Sequence, residues 1–128
     1  METKVTEGIR ISVEVFFQPD YSQPLSNEFM FAYRITITNE SDYAIKLLRR
    51  HWIIIDANGL KREVEGDGVI GQQPVIEPGA SHQYVSGSAL KTEIGKMYGT
   101  YLMQRQFDEV QFNVHIPEFQ MIAPYKLN

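Results

Sequence analysis

Apolar positions recur with a period of two along most of the chain. Ile9, Ile11, Val13 and Val15 alternate with Arg10, Ser12 and Glu14, which predicts an edge or half-buried strand. Phe29, Phe31, Tyr33, Ile35 and Ile37 predict the buried face of a longer strand, with Met30, Ala32, Arg34, Thr36 and Thr38 on its wettable face. Pro19, Asp20 and Pro24 mark 18–27 as a loop, and Asn39-Glu40-Ser41-Asp42 reads as a turn. Strand material returns over 45–48 and 50–56. Asp56-Ala57-Asn58-Gly59 then signals a hairpin, because Asn-Gly tolerates positive φ, and 60–64 pairs back. A short strand over 81–85, a brief helical turn over 91–95 and strands over 95–104 and 110–116 complete the pattern. Pro117, Pro124 and the final Tyr125-Lys126-Leu127-Asn128 predict an extended tail packed on the body. Residues 1–7 are expected to be a flexible N-terminal tail of a single domain spanning 1–128.

No stretch sustains a helical hydrophobic period. Seven or eight short strands, with a turn signal about every ten residues, predict an all-β sandwich of immunoglobulin or fibronectin type III character. Two runs break the alternation: 52–55 and 97–103 are apolar on both faces. The outer face of a sandwich is normally wet, so these side chains need cover from the glycine-rich loop, the C-terminal tail or a partner. Loop and tail cover is the favoured reading, with a homodimer face as the alternative. Trp52, Tyr98 and Tyr101 form the candidate interaction surface for a protein partner whose identity the sequence does not supply.

Composition narrows the chemistry. At 128 residues the chain is long enough to bury a core without a staple. It has no cysteine, which removes disulfides and thiolate metal sites. Net charge is −4, and the one basic cluster, Lys46 with Arg49-Arg50-His51, is short. Nucleic-acid binding draws most of its affinity from phosphate neutralisation, so nucleic acid is not an expected partner. The longest apolar run, Trp52-Ile53-Ile54-Ile55, is far below a membrane span. Nor does the chain start have the apolar core of a signal peptide. A cytoplasmic protein without a membrane partner is expected.

Catalytic constellations are not apparent. His51, His82 and His115 are widely spaced, so no metal site and no cofactor are expected. Glu63, Glu65 and Asp67 alternate and suit a hard cation, but a solvated strand edge explains them more simply. Ser86-Gly87-Ser88 is not a nucleophile elbow, and His82 lies about 13 Å from Ser86 along a strand. Gly66-Asp67-Gly68-Val69-Ile70-Gly71 matches G-x-G-x-x-G. A dinucleotide fingerprint, however, needs a helix after its third glycine, and Pro74 and Pro78 forbid one. The motif reads as a glycine-rich connection between strands. Its backbone N–H groups form a candidate phosphate-binding loop of Gly66, Gly68 and Gly71, with Lys61 and Arg62 as the cations. Any phosphate ligand there is expected to bind weakly, since Asp67 opposes an anion. The alternative is that the glycines serve only positive φ and close approach to the sheet.

Several ordered motifs carry a resemblance that covers nearly the whole chain. They are Phe31-Ala32-Tyr33-Arg34-Ile35-Thr36-Ile37, Leu47-Leu48-Arg49-Arg50-His51-Trp52 through Asn58-Gly59, Val64-Glu65-Gly66-Asp67-Gly68 through Pro74, Tyr84-Val85-Ser86-Gly87, and Gly95-Lys96-Met97-Tyr98-Gly99 through Met103. Together these resemble the bacterial ApaG family. The stretch 104–109 departs by lacking the acidic-Gly hairpin of many relatives. The resemblance implies a fibronectin type III-like sandwich. It also implies kinship with a domain of eukaryotic F-box proteins and of a DNA-polymerase-interacting protein, where it looks like an interaction module. Bacterial members are linked by name to an operon for a diadenosine polyphosphate hydrolase, to cobalt resistance and to magnesium efflux. No catalytic residue carries over. The chain is therefore expected to be a non-enzymatic binding module, with a sensor of pyrophosphate or a dinucleotide polyphosphate at the glycine loop as the alternative.

Overall fold

The computed structural model describes residues 1–124. Nine strands follow in order: β1 Glu2–Thr6, β2 Ile9–Phe17, β3 Phe29–Asn39, β4 Ile45–Asp56, β5 Lys61–Asp67, β6 Val75–Ile76, β7 Ser81–Leu90, β8 Ile94–Arg105 and β9 Gln111–Ile122. Two 3₁₀ turns, Pro19–Tyr21 and Pro24–Ser26, occupy the loop before β3. One antiparallel sheet has the order β1-β2-β3-β7 and the other β5-β4-β8-β9, with β6 paired to β4. The all-β sandwich expected from the period-two pattern is the observed fold.

The inward positions of β2 and β3 are the predicted ones, and Ile9, Ile11, Val13, Phe31, Ile35 and Ile37 are fully buried. Against them β4, β8 and β9 set Leu47, Trp52, Tyr101, Met103, Val114 and Phe119. Three rings meet at the centre. Tyr33 and Trp52 lie 5.4 Å apart by centroid, Tyr33 and Phe119 5.8 Å, and Trp52 and Phe119 5.9 Å.

Several expectations are corrected. Residues 1–7 are not a loose tail, because Glu2–Thr6 pair with β2 from Glu2↔Val13 to Thr6↔Ile9. A two-residue turn with positive φ at Glu7 and Gly8 closes that hairpin. β2 is therefore internal, which leaves the half-buried strand and not the edge as the outcome of the two readings. Bends, not a helical turn, join β7 to β8. β9 continues past Pro117 to Ile122 through a register shift against β8 between Met97 and Gly99; a bulge tolerates a proline that a regular ladder does not. β4 is one strand, and its apparent break is a bulge between Leu47 and Arg49. The expected tail segment 125–128 lies outside the described residues.

The two sides of the sandwich are joined differently. On one side β9 lies against β1 and β2, and the His115 N–H donates to Thr6 Oγ1 at 3.2 Å. On the other side β5 and β7 are the terminal strands of their sheets. There the Arg62 guanidinium reaches across to donate to the Ala89 carbonyl.

Candidate functional site

The β4 bulge decides where a guanidinium goes. Alternation from Ile45 and Leu47 would place Arg49 inside, but the extra residue at Leu48 shifts the parity. Arg50, Trp52 and Ile54 then face the core side, while Arg49 faces out to Asp67 at 2.6 Å. Arg50 pairs directly across the ladder with Gly66. Its guanidinium lies flat on that glycine, where a Cβ would sit 2.8 Å from Nη1 and Nη2. Nη1 donates to the carbonyls of Asp67 and Gly68, both at 3.0 Å. Among the described residues no carboxylate pairs with Arg50, and no hydrogen bond engages its Nη2 or Nε.

The same bulge anchors the loop. The Leu48 carbonyl accepts from the Gly68 N–H at 2.8 Å and from Gln73 Nε2 at 2.9 Å. Val69 and Gln72 then exchange backbone bonds of 2.8 and 3.0 Å around Ile70 and Gly71. Both central residues have positive φ, 47° and 72°, the signature of a type I′ turn. Glycine suits the second position, but a β-branched isoleucine at the first is strained. Gly68 is obligatory in a different way: at φ 61° its Cβ would lie 2.0 Å from the Gln72 carbonyl oxygen. Val69 is buried in the core, whereas Ile70 is 61% exposed.

Under this turn lies a cavity of about 160 Å³, lined by Arg50, Tyr33, Trp52, Tyr84, Ser86 and the 69–71 turn. Three phenols gather beside the guanidinium. Tyr84 and Tyr101 share a hydroxyl–hydroxyl bond, and Tyr33 lies opposite Ser86 across the ladder. Burial pushes all three phenols above the usual value, and the Arg50 charge pulls them partly back. The result is one fixed positive charge with neutral hydroxyl donors at the mouth of a small cavity. That set suits an oxyanion.

The predicted site residues are redistributed. Of the three glycines only Gly71 lines the cavity; the Gly68 carbonyl accepts from Arg50, and Gly66 is a strand residue that makes room for Arg50. Lys61 and Arg62 are not the cations of the loop. Opposite Ile55 and Ile54 they lie at the far end of β5, about 20 Å of strand from Gly68, and Lys61 meets Glu63 at 3.6 Å. Asp67 does not oppose an anion, since its carboxylate points outward to Arg49. The aromatic surface is corrected as well: Trp52 is 2% and Tyr101 0% exposed. Both belong to the core because their positions face the opposing sheet; Tyr98, opposite Ile53, is half-exposed on the outer face. His51 lies 3.4 Å from both Glu63 and Glu65 on that outer face. The histidine was missed as their neighbour because it comes from another strand. The two glutamates are exposed and pair with the half-buried His51, and the three carry no argument for an ion. Arg50, Tyr33, Tyr84 and Ser86 were not singled out as site residues. A strand that breaks its own alternation beside Arg49-Arg50 was the available signal.

The ApaG domain family model matches residues 19–105. Protein ApaG of Anaeromyxobacter dehalogenans is 45% identical over 128 residues, covering all of both chains. Protein ApaG of Brucella suis biovar 1 is 45% identical over 124 residues, 97% of this chain and 95% of its own. Among solved structures, one described as an ApaA protein from Bordetella pertussis superposes with a TM-score of 0.88 at 38% identity. It covers 92% of this chain and 95% of that one.

Proposed function

This chain belongs to the ApaG family, and we propose that it is a non-enzymatic binding module whose seat takes an oxyanion at Arg50. The observation that carries the reading is a core-facing guanidinium with no carboxylate partner among the described residues, placed beside a cavity that phenol and serine hydroxyls line. Arg50 is half-buried, and a guanidinium that no carboxylate neutralises is a ready binding charge for an anion. The glycine loop serves this seat by carbonyl contacts to Nη1 and by leaving space over Gly66, not by a nest of N–H groups. Phosphate in pyrophosphate or a dinucleotide polyphosphate is the small-molecule form of the ligand. We read the cobalt and magnesium associations of the family as indirect, because no cysteine is present and the oxyanion seat is the better-built site.

Pyrophosphate is the first probe. At one hundred times Kd it stabilises the fold by about 2.7 kcal/mol, read as a thermal shift. Trp52, the single tryptophan, lines the cavity and reports occupancy by fluorescence. Arg50→Met and Gly66→Ala, the latter displacing the guanidinium, are expected to abolish both signals. No response in the unaltered protein, or one that Arg50→Met leaves intact, overturns the reading.

A further inference from the structure

The β7 edge differs from the other strand edges of the sandwich. Edge strands are ordinarily protected by charge, proline, bulges or cover. β1 carries Glu2 and Lys4 and lies against β9; β5 carries Lys61, Arg62, Glu63, Glu65 and Asp67; β9 has Pro117 at its bulge. β7 reads Ser-His-Gln-Tyr-Val-Ser-Gly-Ser-Ala-Leu, with no lysine, arginine, carboxylate or proline. It pairs with β3 without a register shift from Phe29↔Leu90 to Thr38↔Ser81. The Arg62 bond to the Ala89 carbonyl shows which residues point their backbone away from β3. In an antiparallel ladder the N–H and C=O of one residue point the same way and alternate along the strand. Gln83, Val85 and Gly87 therefore also present their backbone outward. Among the described residues nothing bonds to those groups.

The side chains between them face the other way. Tyr84 and Ser86 line the Arg50 cavity. A residue placed opposite either one on an added strand would direct its side chain to that same face, at a cross-strand distance of about 5 Å. We infer that β7 accepts an extended acidic segment of a partner protein as an added strand over 83–87, with an Asp or Glu side chain of that segment delivered to Arg50. This rests on the reading of Arg50 as an oxyanion seat and names the carrier of the anion. Backbone bonds give the edge its grip, and Arg50, beside Tyr84 and Ser86 in the cavity, selects an acidic residue opposite either one. A second copy of β7 would supply no carboxylate, so charge complementarity favours a partner segment over self-pairing.

The probes are short β-prone peptides of Thr and Val with a central Glu or Asp, matched by peptides with Gln or Asn at that position. Binding is read by fluorescence anisotropy and by Trp52 emission. The acidic peptides are expected to bind about tenfold or more tightly than the amides. Val85→Pro removes one outward N–H without touching the β3 ladder. It is expected to abolish peptide binding while the pyrophosphate response survives; Arg50→Met removes both. Peptides N-methylated at alternate residues give the same backbone test on the unaltered protein, should Val85→Pro fail to fold. Equal binding of acid and amide, indifference to N-methylation, or no peptide binding beside an intact pyrophosphate response overturns strand addition alone. A concentration-dependent dimer that Val85→Pro dissolves also overturns it, because the edge then belongs to a second copy. Loss of the pyrophosphate response in the unaltered protein overturns the seat itself.

Discussion

The two seams of the sandwich solve one packing problem in opposite ways. Along β1 and β9 the sheets approach closely enough for backbone to bond side chain across them, through His115 and Thr6. That seam widens toward Met1 into a depression of about 530 Å³ whose charged lining side chains are Glu2 and Glu118. Along β5 and β7 the strands stay apart; the Arg62 side chain spans the gap, and the 69–71 turn shares a cavity with Tyr84 and Ser86. The opening left there is smaller and carries Arg50. A seam closed by chain against chain leaves no cationic side chain in its opening. One closed by an arginine and a glycine turn places a cation beside a cavity, and that difference is why we propose the second seam as the functional one.

The largest expected effect comes from the ring cluster that both seams share. Trp52→Ala is expected to cost about 3–5 kcal/mol in urea unfolding, since it empties the centre of the core. A small loss, with stability retained, would mean that Trp52 is not the keystone between the sheets. Next, Gly68→Ala tests the turn on the open side. Backbone strain alone contributes about 1–3 kcal/mol there, and the clash with Gln72 adds to it. Thr6→Val tests the closed side, with an expected loss of about 0.5–1.5 kcal/mol from one hydrogen bond. If it exceeds the Gly68→Ala loss, the assignment of the two seams is reversed. Ile70→Asn, which places a residue suited to the type I′ turn, is expected to raise stability by about 1 kcal/mol. An unchanged or lowered melting temperature would show that Ile70 is not strained.

The smallest effect at working pH is that of the buried phenols, since all of them are neutral there. Tyr84 and Tyr101 have folded values raised above 10.0, first by burial. The stability they contribute is fully present below the unfolded value and is lost as pH rises from about 10 through the raised folded values. Urea midpoints are expected to be flat through neutrality and to fall in strong alkali. Tyr84→Phe is expected to reduce that fall.

Most of the fold was legible in the residues. The inward faces of β2 and β3, the Asn58-Gly59 hairpin and the sandwich class all follow from period-two alternation and turn chemistry. The errors cluster where backbone irregularity overrides pattern. Pro117 looked like a strand end because proline lacks a donor, yet a bulge absorbs it. Glu2–Thr6 looked unstructured because its side chains are polar, yet ladder bonds hold it without apolar burial. Trp52 and Tyr101 looked like surface because both faces of their strands are apolar, and only the opposing sheet shows which face is covered. The glycine loop was found, but its cation was misassigned: Lys61 and Arg62 are near Gly66 in sequence, whereas Arg50 is near it in space.

By itself the sequence determined the class of fold, the main strand faces, the family and the presence of a special loop at 66–71. These depend on local alternation, on turn residues and on motif order, all of which are written along the chain. Only the tertiary structure decided that Arg50 faces inward, that Gly66 is its floor, and that β7 keeps an uncharged free edge beside it. Those facts depend on register between strands distant in sequence. A single extra residue at Leu48 reverses the side on which every following side chain of β4 emerges, and no local rule counts that residue before its partner strands are in place.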